Sequence, residues 1–267
     1  MAVHRIYVKD LDPAGLSRGR LVEITGDEAR HALSVKRLVV SNLVELLNGR
    51  GLSARGSIAS VARRSLMVQV ETIEIGPRLV PELVVAIGPP KGPRAEAMIE
   101  QISQIGVSRW IPLVSERRVV EPRDRRLAKW RRATVVESAK QCGRTWLMEI
   151  DDPTPLADCL NQAPRPQLLL ADAAGGRCSD ALQDRPATRP ILLLVGPEGG
   201  FSDAEHEAIR HAGAATISLS THILRVETAA AVGAGIILNA IHASDPPTSP
   251  RPAPDRAAQP NKPMPQA

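Results

Sequence analysis

The chain has 267 residues, of which 43% are hydrophobic and 24% charged, a composition typical of a globular protein. Its formal net charge of +5, mostly from arginine, is typical of proteins that bind a polyanion. The three cysteines form no Cys-x-x-Cys pair and no apolar run is long enough to cross a membrane, so we expect a reduced cytoplasmic location without a zinc, disulfide or membrane role.

The first 76 residues contain short apolar runs separated by turn signals such as Asn48-Gly49 and Gly76-Pro77. Strands are predicted at Arg5–Val8, Leu21–Ile24, Leu43–Leu47, Ala54–Val61 and Leu66–Ile75, with one helix over Asp27–Arg37. Regularly spaced short strands of this kind predict a small β-barrel domain over residues 1–76. The domain boundary is expected at Gly76–Pro81.

From Leu83 onward, apolar runs of strand length alternate with stretches of helical spacing. The predicted strands are Leu83–Ile87, Trp110–Val114, Leu168–Ala171, Ile191–Val195 and Ala215–Leu219. The predicted helices are Arg94–Ile105, Asp124–Gln141, Asp203–Ala212 and Val226–Ile241. This alternation predicts an α/β domain over residues 80–243, built on a parallel sheet. The proline-rich residues 244–267 are expected to form a disordered tail.

The most informative stretch is Ile191–Ser202, where an apolar run ends in three glycines, Gly196, Gly199 and Gly200. Ser202 begins the Ser-x-x-Glu spacing of a capping box, which predicts that a helix starts there. A strand, a glycine loop and a helix in this order place a ligand at the carboxyl end of the strand. A glycine turn without a ligand explains this stretch equally well, but a second strand–loop–helix unit follows about twenty residues later.

Basic residues are concentrated in one segment of the predicted α/β domain. They are Arg109, Arg117, Arg118, Arg123, Arg125, Arg126, Lys129, Arg131 and Arg132. A solvated helix face and an RNA-binding patch both explain such a cluster. Aromatic residues make up only 2% of the chain, so we expect any RNA to be bound through arginine–phosphate contacts and shape rather than by base stacking.

Several motifs, taken with their spacing, resemble the ribosomal RNA uridine-N3 methyltransferases (RsmE type) of the SPOUT superfamily. The two main motifs are Gly196-Pro197-Glu198-Gly199-Gly200 with Phe201, Ser202 and Glu205, and Ile223-Leu224-Arg225 with Glu227-Thr228-Ala229. Further matches are His4-Arg5-Ile6-Tyr7, Gly106-Val107, Ser115-Glu116-Arg117 and Gln141-Cys142-Gly143-Arg144. Together they cover residues 1 to about 243.

The resemblance implies a SPOUT-type knotted, parallel-sheet methyltransferase domain preceded by a PUA-like β-barrel for RNA recognition. It implies S-adenosylmethionine (SAM) as the cofactor. The implied acceptor is N3 of a uridine in 16S, small-subunit ribosomal RNA, as naked RNA or in an assembling subunit. A homodimer is also expected, with helix Val226–Ile241 as a candidate interface element.

In this family the cofactor is held among three loops, largely by backbone groups. The residues implied to bind it are Leu170, Ala171, Val195, Gly196, Glu198, Gly199, Gly200, Leu219, Ser220, Ile223, Leu224 and Thr228. The residues expected to bind RNA are Arg5, Arg37, Lys91, Arg94, Arg117, Arg118 and Arg144. No metal ligands are expected.

Arg225 is the expected catalytic residue, because a cation would stabilise the negative charge that develops on the uracil ring as N3 loses its proton. A structural ion pair of Arg225 with Glu198 or Glu227 is the alternative. His222 is the imidazole nearest in the sequence and is a weaker candidate for accepting the proton.

The chain departs from the family pattern at several positions. Gln101 and Gln104 stand where the family usually has Lys and Glu, Ser34 replaces a common Arg, and Ser220-Thr221-His222 replaces a Gly-x-Arg loop. Two other hypotheses therefore stay open. One is a non-catalytic RNA-binding or ribosome-assembly paralogue on a SPOUT scaffold, and the other is a SPOUT methyltransferase with a different RNA acceptor.

Overall fold

The computed structural model describes residues 3–244, except residues 119, 121 and 123. Arg123 and the predicted tail, from residue 245 onward, lie outside the described residues. The described strands form two sheets, one before and one after the linker at residues 76–82. Among the described helices, none is both long enough and apolar enough to span a membrane.

The first sheet consists of five strands, whose order is β1-β3-β4-β5-β2. They are β1 (His4–Tyr7), β2 (Leu21–Ile24), β3 (Leu43–Leu47), β4 (Leu52–Val61) and β5 (Leu66–Ile75). Strands β1 and β3 are parallel, and the other pairs are antiparallel. All five predicted strands are confirmed, although β4 starts earlier than expected.

A short helical segment lies between β2 and β3. Helix α1 (Gly26–Arg30) continues into a π-helical turn (His31–Val35). The helical segment therefore ends at Val35, two residues before the predicted end at Arg37. The prediction was wrong at this end because Arg37 adopts a positive φ of 55°, which no right-handed helix contains.

The pairing of strand β4 with strand β5 is irregular at Gly56. Their register shifts between Arg55 and Gly56, as in a β-bulge. A Cβ atom at Gly56 would lie 2.1 Å from the backbone oxygen of Gln69, so only glycine fits there. The core of this sheet includes Val44, Leu46 and Val68, which are completely buried.

The second sheet is parallel throughout, which confirms the predicted α/β architecture. Its order is β12-β10-β11-β6-β7-β8, and β9 also pairs with β7. The strands are β6 (Leu83–Ile87), β7 (Arg109–Val114), β8 (Glu149–Ile150), β9 (Thr154–Pro155), β10 (Gln167–Gly176), β11 (Ile191–Val195) and β12 (Ala215–Ile217). Every residue of the central strands β6 and β11 is buried, as expected for a parallel sheet covered on both faces.

Seven helices of the described residues accompany this sheet. They are α2 (Arg94–Ile105), α3 (Asp124–Lys129), α4 (Val135–Cys142), α5 (Leu156–Leu160), α6 (Cys178–Leu182), α7 (Asp203–His211) and α8 (Val226–Ser244), with a π-helical turn (Trp130–Thr134) joining α3 to α4. On one face, α2 and α8 contribute Met98, Ile102 and Ile237 to the core. On the other face, Phe201 and Ile209 pack with α5.

The segment that follows α4 packs against the first sheet. Thr145 accepts a hydrogen bond from the amide of Gly51 (3.0 Å), and the amide of Leu147 donates to Gly49 (3.0 Å). The Trp146 indole donates to the carbonyl of Gly76 at 2.8 Å. The two sheets are therefore held together by direct contacts as well as by the linker.

Candidate functional site

The carboxyl ends of β10, β11 and β12 lie side by side at one edge of the second sheet. Leu170 of β10 is in register with Leu194 of β11 on one side and with Thr216 of β12 on the other. Three segments lie at this edge: the first loop (residues 171–176, the irregular end of β10), the second loop (residues 196–200) and the third loop (residues 219–224). The structure therefore brings together the three loops that the resemblance implies for the cofactor.

The loop after β11 is a tight glycine turn. Gly200 has a φ of 69°, in the left-handed region, and its amide donates to the carbonyl of Pro197 at 2.8 Å. The predicted capping box is confirmed: the Glu205 amide donates to Ser202 Oγ (3.2 Å), and the Ser202 amide donates to the Glu205 carboxylate (2.9 Å). The loop is therefore fixed at the point where it enters α7.

The segment that follows β7 forms hydrogen bonds with this glycine loop and with the helix after it. Arg117 Nη1 donates to the carbonyls of Gly199 (3.0 Å) and Phe201 (3.4 Å). The amide of Glu116 donates to the carboxylate of Glu205 at 2.8 Å. These contacts are not predicted from the sequence, although Ser115-Glu116-Arg117 and Glu205 both belong to the matching motifs.

Arg94 links the second loop to the start of α8. Its guanidinium lies 3.7 Å from Glu198 Oε1 and 3.5 Å from Glu227 Oε1. Both carboxylates thus pair with Arg94, and the ion pair that is the alternative interpretation of Arg225 is not found among the described residues. Arg225 is exposed, and within the described part of the chain its side chain has no ion pair or hydrogen bond.

The loop after β12 contributes both buried and exposed residues. Leu219 and Leu224 pack partly buried against the core. Ile223 is 97% exposed and points away from it. His222 is exposed, and its backbone amide donates to Ser220 Oγ at 3.1 Å. Leu170, at 6% exposure, packs in the core on the other face of the sheet, so apolar side chains from both faces reach this edge.

The family model for RNA methyltransferase domains matches residues 78–238. The chain belongs to this family of RNA methyltransferases. A Mycobacterium bovis relative, ribosomal RNA small subunit methyltransferase E, is 30% identical over 232 residues, which cover 82% of this chain and 86% of the relative. The predicted resemblance to the RsmE type is therefore confirmed.

Two solved structures have the same fold as this methyltransferase. A Legionella pneumophila protein, solved with bound SAM, is 27% identical with a TM-score of 0.74 and covers 91% of this chain and 98% of its own. A ribosomal RNA small subunit methyltransferase E from Neisseria gonorrhoeae superposes with a TM-score of 0.77 at 22% identity, covering 89% and 98% of the two chains. The second of these supports the fold alone.

The residues expected to bind RNA divide into two groups in this methyltransferase. Lys91, Arg94, Arg117 and Arg118 follow β6 and β7 and lie at the same edge as the three loops. The other three, Arg5, Arg37 and Arg144, lie away from this edge. Arg5 pairs with Glu45 (2.7 Å) and donates to the carbonyl of Lys140 (3.0 Å), and Arg144 donates to the carbonyl of Ser103 (2.9 Å).

Three residues of the basic cluster are paired with acidic side chains. Arg109 binds Asp151 at 2.9 Å, Lys129 binds Glu96 at 2.6 Å, and Arg131 binds Asp152 at 2.8 Å. These pairs favour the interpretation of a solvated, ion-paired surface for this part of the cluster.

Thiol and metal chemistry have little support in the described residues. Burial raises the pKa of Cys159 to about 12 and that of Cys178 to about 11, so both thiols stay protonated and inert at neutral pH. Within the described ranges, no group of three or more His, Cys, Asp or Glu side chains is arranged to hold a metal ion.

Proposed function

We propose that this chain is a SAM-dependent methyltransferase acting on small-subunit (16S) ribosomal RNA. The observation that carries the proposal is the assembly of three loops at the carboxyl edge of a parallel sheet, where α/β proteins bind their ligands. The Mycobacterium bovis relative supplies the substrate class, and the Legionella pneumophila structure supplies the cofactor.

The residues at this edge fit a nucleoside-type cofactor held by backbone groups. The first loop closes against β12 only because Gly175 lacks a Cβ, which would lie 2.3 Å from the backbone carbonyl carbon of Ile217. At Gly196 a Cβ would approach the Phe201 ring to 3.3 Å. These two glycines let the loops pack closely, and at the exposed Gly200, where nothing lies within 4 Å of an added Cβ, a ligand can approach the main chain. The residues proposed to hold SAM are those implied by the resemblance, from Leu170 to Thr228.

SAM, when bound, supplies a methyl group made electrophilic by its sulfonium. Transfer is a displacement in which positioning dominates, so the loops must hold both reactants in line. Arg225 is exposed beside the third loop and has no ion pair within the described residues. Its guanidinium is therefore available to stabilise negative charge on the uracil oxygens. N3 of uridine as the acceptor rests on the family resemblance.

The remaining RNA contacts are proposed at the same edge. Lys91, Arg94, Arg117 and Arg118 would bind phosphates, with Arg117 also holding the glycine loop. Residues 1–76, which contain the first sheet, are proposed to form a PUA-like barrel domain. Residues 80–243 are proposed to form a knotted SPOUT domain. A cytoplasmic location stays a prediction.

Titration of SAM into the purified protein tests the proposed cofactor. We expect micromolar binding by the wild type and its loss in Gly199→Arg, because a long side chain at the exposed turn would fill the space over the loop. The Gly199 position itself tolerates a side chain, since a Cβ there would contact Arg117 at an ordinary 3.5 Å. Gly15→Arg is the matched control, because it adds the same charge where nothing lies within 4 Å.

Absence of SAM binding by the wild type would contradict the enzyme and favour the non-catalytic paralogue. If SAM binds, mapping of modified bases in ribosomal RNA from a deletion strain follows. Loss of a methyl group at a uridine N3 supports the proposed acceptor. Loss of a different modification would instead support a methyltransferase with another RNA acceptor.

We propose a homodimer that uses the exposed side of α8. Thr228, Ala231 and Gly235 form a stripe of small residues at helical spacing there, and Thr228 and Ala231 line a groove with α2. Light scattering should find a dimer for the wild type and a monomer for Ala231→Arg. The matched control is Ala208→Arg on the exposed side of α7, and a monomeric wild type would contradict the proposal.

A further inference from the structure

A cavity of about 270 Å³ lies between the linker, the end of α2 and the segment that follows α4, away from the three loops. We call it the linker cavity, and its polar lining comes from Arg78, Gln104, Ser108, Arg144, Thr145 and Trp146. Arg78 precedes β6 and Ser108 precedes β7, so the cavity lies at the amino ends of these strands. The three loops lie at the opposite edge, about 16 Å away along a strand of this length.

Arg144 is the central group of the linker cavity. Its Nη1 donates to the carbonyl of Ser103 in the last turn of α2, at 2.9 Å. Within the described part of the chain, no carboxylate pairs with Arg144, and none of its nitrogens is among the fully buried atoms that lack a partner. A guanidinium has five N–H donors, so those not used on Ser103 remain accessible from the cavity.

The positive charge of Arg144 is only weakly compensated. Burial lowers its pKa to about 10, with Cys142 raising and Arg78 further lowering the value. Arg144 therefore stays protonated at neutral pH.

Arg78, by contrast, is compensated. Its guanidinium lies 2.8 Å from Glu149 and 3.7 Å from Glu82, and it stacks 5.6 Å from the centre of the Trp146 ring. The linker cavity thus contains two guanidinium groups, of which one has carboxylate partners and the other has none among the described residues.

Gln104 is an uncharged member of this lining, and its Nε2 donates to Glu100 Oε1 at 3.1 Å. It lines the same cavity with a neutral amide, at a position where the family usually has Glu. A glutamate there would bring a negative charge to the cavity that contains Arg144. With glutamine, the cavity offers a charged donor together with the hydroxyls of Ser108 and Thr145, a combination that binds oxyanions.

We infer that the linker cavity binds a phosphate group, and that in the working enzyme this group is a phosphodiester of the RNA. The volume is slightly below the range of about 300–1,000 Å³ typical of ligand pockets, and therefore suits a single phosphate better than a cofactor. The identity of the phosphate as RNA rests on the proposed function, whereas anion binding does not.

Inorganic phosphate is the first probe, titrated into the full-length protein by calorimetry. We expect Gln104→Glu to weaken phosphate binding at least tenfold, because the new carboxylate would pair with Arg144. The fold should stay intact, since the contact with Ser103 is kept. Gln101→Glu is the matched control: it makes the same change one turn earlier on α2, outside the linker cavity, and should leave the affinity within twofold.

A fragment of small-subunit ribosomal RNA is the second probe. Loss of one phosphate contact should reduce the slope of log K against log salt concentration by about 0.7–0.9 in Gln104→Glu and in Arg144→Gln, but not in Gln101→Glu. Light scattering of each variant checks that the oligomeric state is unchanged, because Gln104 also borders the groove between α2 and α8.

Each outcome decides one part of the inference. No phosphate binding by the wild type, or equal binding by Gln104→Glu, overturns the anion site. Phosphate binding that is lost in Gln104→Glu with an unchanged RNA salt slope overturns the RNA assignment and leaves a site for free phosphate. Phosphate binding without any binding of SAM supports the anion site while contradicting the proposed function.

Discussion

Replacement of Gly175 by alanine should disable the first loop and lower the stability of the protein. The added Cβ would lie 2.3 Å from the backbone carbonyl carbon of Ile217 and 2.6 Å from its Cα and nitrogen. Backbone cannot move aside as a side-chain end can, so β10 and β12 must separate locally. We expect a loss of about 1–3 kcal/mol in the free energy of unfolding, as for other overpacked sites. SAM affinity should fall at least tenfold, because the first and third loops lose their common support.

Gly176→Ala is the control for this prediction. It adds the same methyl group at the next residue, where nothing lies within 4 Å and φ is not positive. Its backbone pairing is kept, since the Ser218 amide donates to the carbonyl of residue 176 in either variant. Urea unfolding and calorimetry should find it close to wild type. Equal stability and SAM affinity of the Gly175→Ala and Gly176→Ala variants would contradict the proposed role of the first loop.

The same loop marks a limit of sequence-based prediction. The apolar run predicts a strand that ends at Ala171, whereas β10 continues to Gly176. The extension exists because the register of β10 with β12 shifts after Ala171, so that Gly176 also pairs with Ile217, and this pairing depends on β12. The need for glycine at position 175 follows from that pairing, which local periodicity does not contain.

Elements with strong local signals were predicted well. The central strands β6 and β11 were predicted with correct bounds because their runs are continuous and apolar, and Ser202 was a correct helix start because capping is local. Strands β8 and β9 and helices α5 and α6 were missed. They have two to five residues each, which is too short for a hydrophobic pattern to repeat often enough to be recognised.

The roles of arginine residues are the part of the site that sequence predicted least well. A guanidinium binds a phosphate, a carboxylate or a backbone carbonyl with the same donors, so residue type does not choose between them. Arg94 binds two carboxylates, Arg117 binds two carbonyls and Arg144 binds one. What each arginine binds is decided by which carboxylate or carbonyl lies beside it, and these groups come from distant segments of the chain. The same holds for Arg225, which is exposed and has no such partner among the described residues.

Arg225→Ala should reduce the rate of methyl transfer at saturating substrate by about 10²–10³-fold, as the loss of one preorganised donor to a developing oxyanion does elsewhere. SAM affinity should stay within twofold, because the exposed side chain makes no hydrogen bond or ion pair with the loops among the described residues. A structural role would give a different result, since a structural arginine affects stability and cofactor binding together. The measurement is single-turnover methylation of a small-subunit ribosomal RNA fragment, with SAM titration in parallel.

Two variants separate a catalytic Arg225 from its neighbours. Arg225→Lys keeps the charge but loses the planar fork, so it should recover part of the rate that alanine loses. His222→Ala removes the nearby imidazole, and if Arg225 alone stabilises the charge, its rate should match wild type across the pH range in which histidine titrates. A large, pH-dependent loss in His222→Ala together with a near-normal Arg225→Ala would reassign the chemistry to His222. The charge at position 225 is thus expected to act on the substrate, because the exposed Arg225 side chain has no hydrogen bond or ion pair within the described residues.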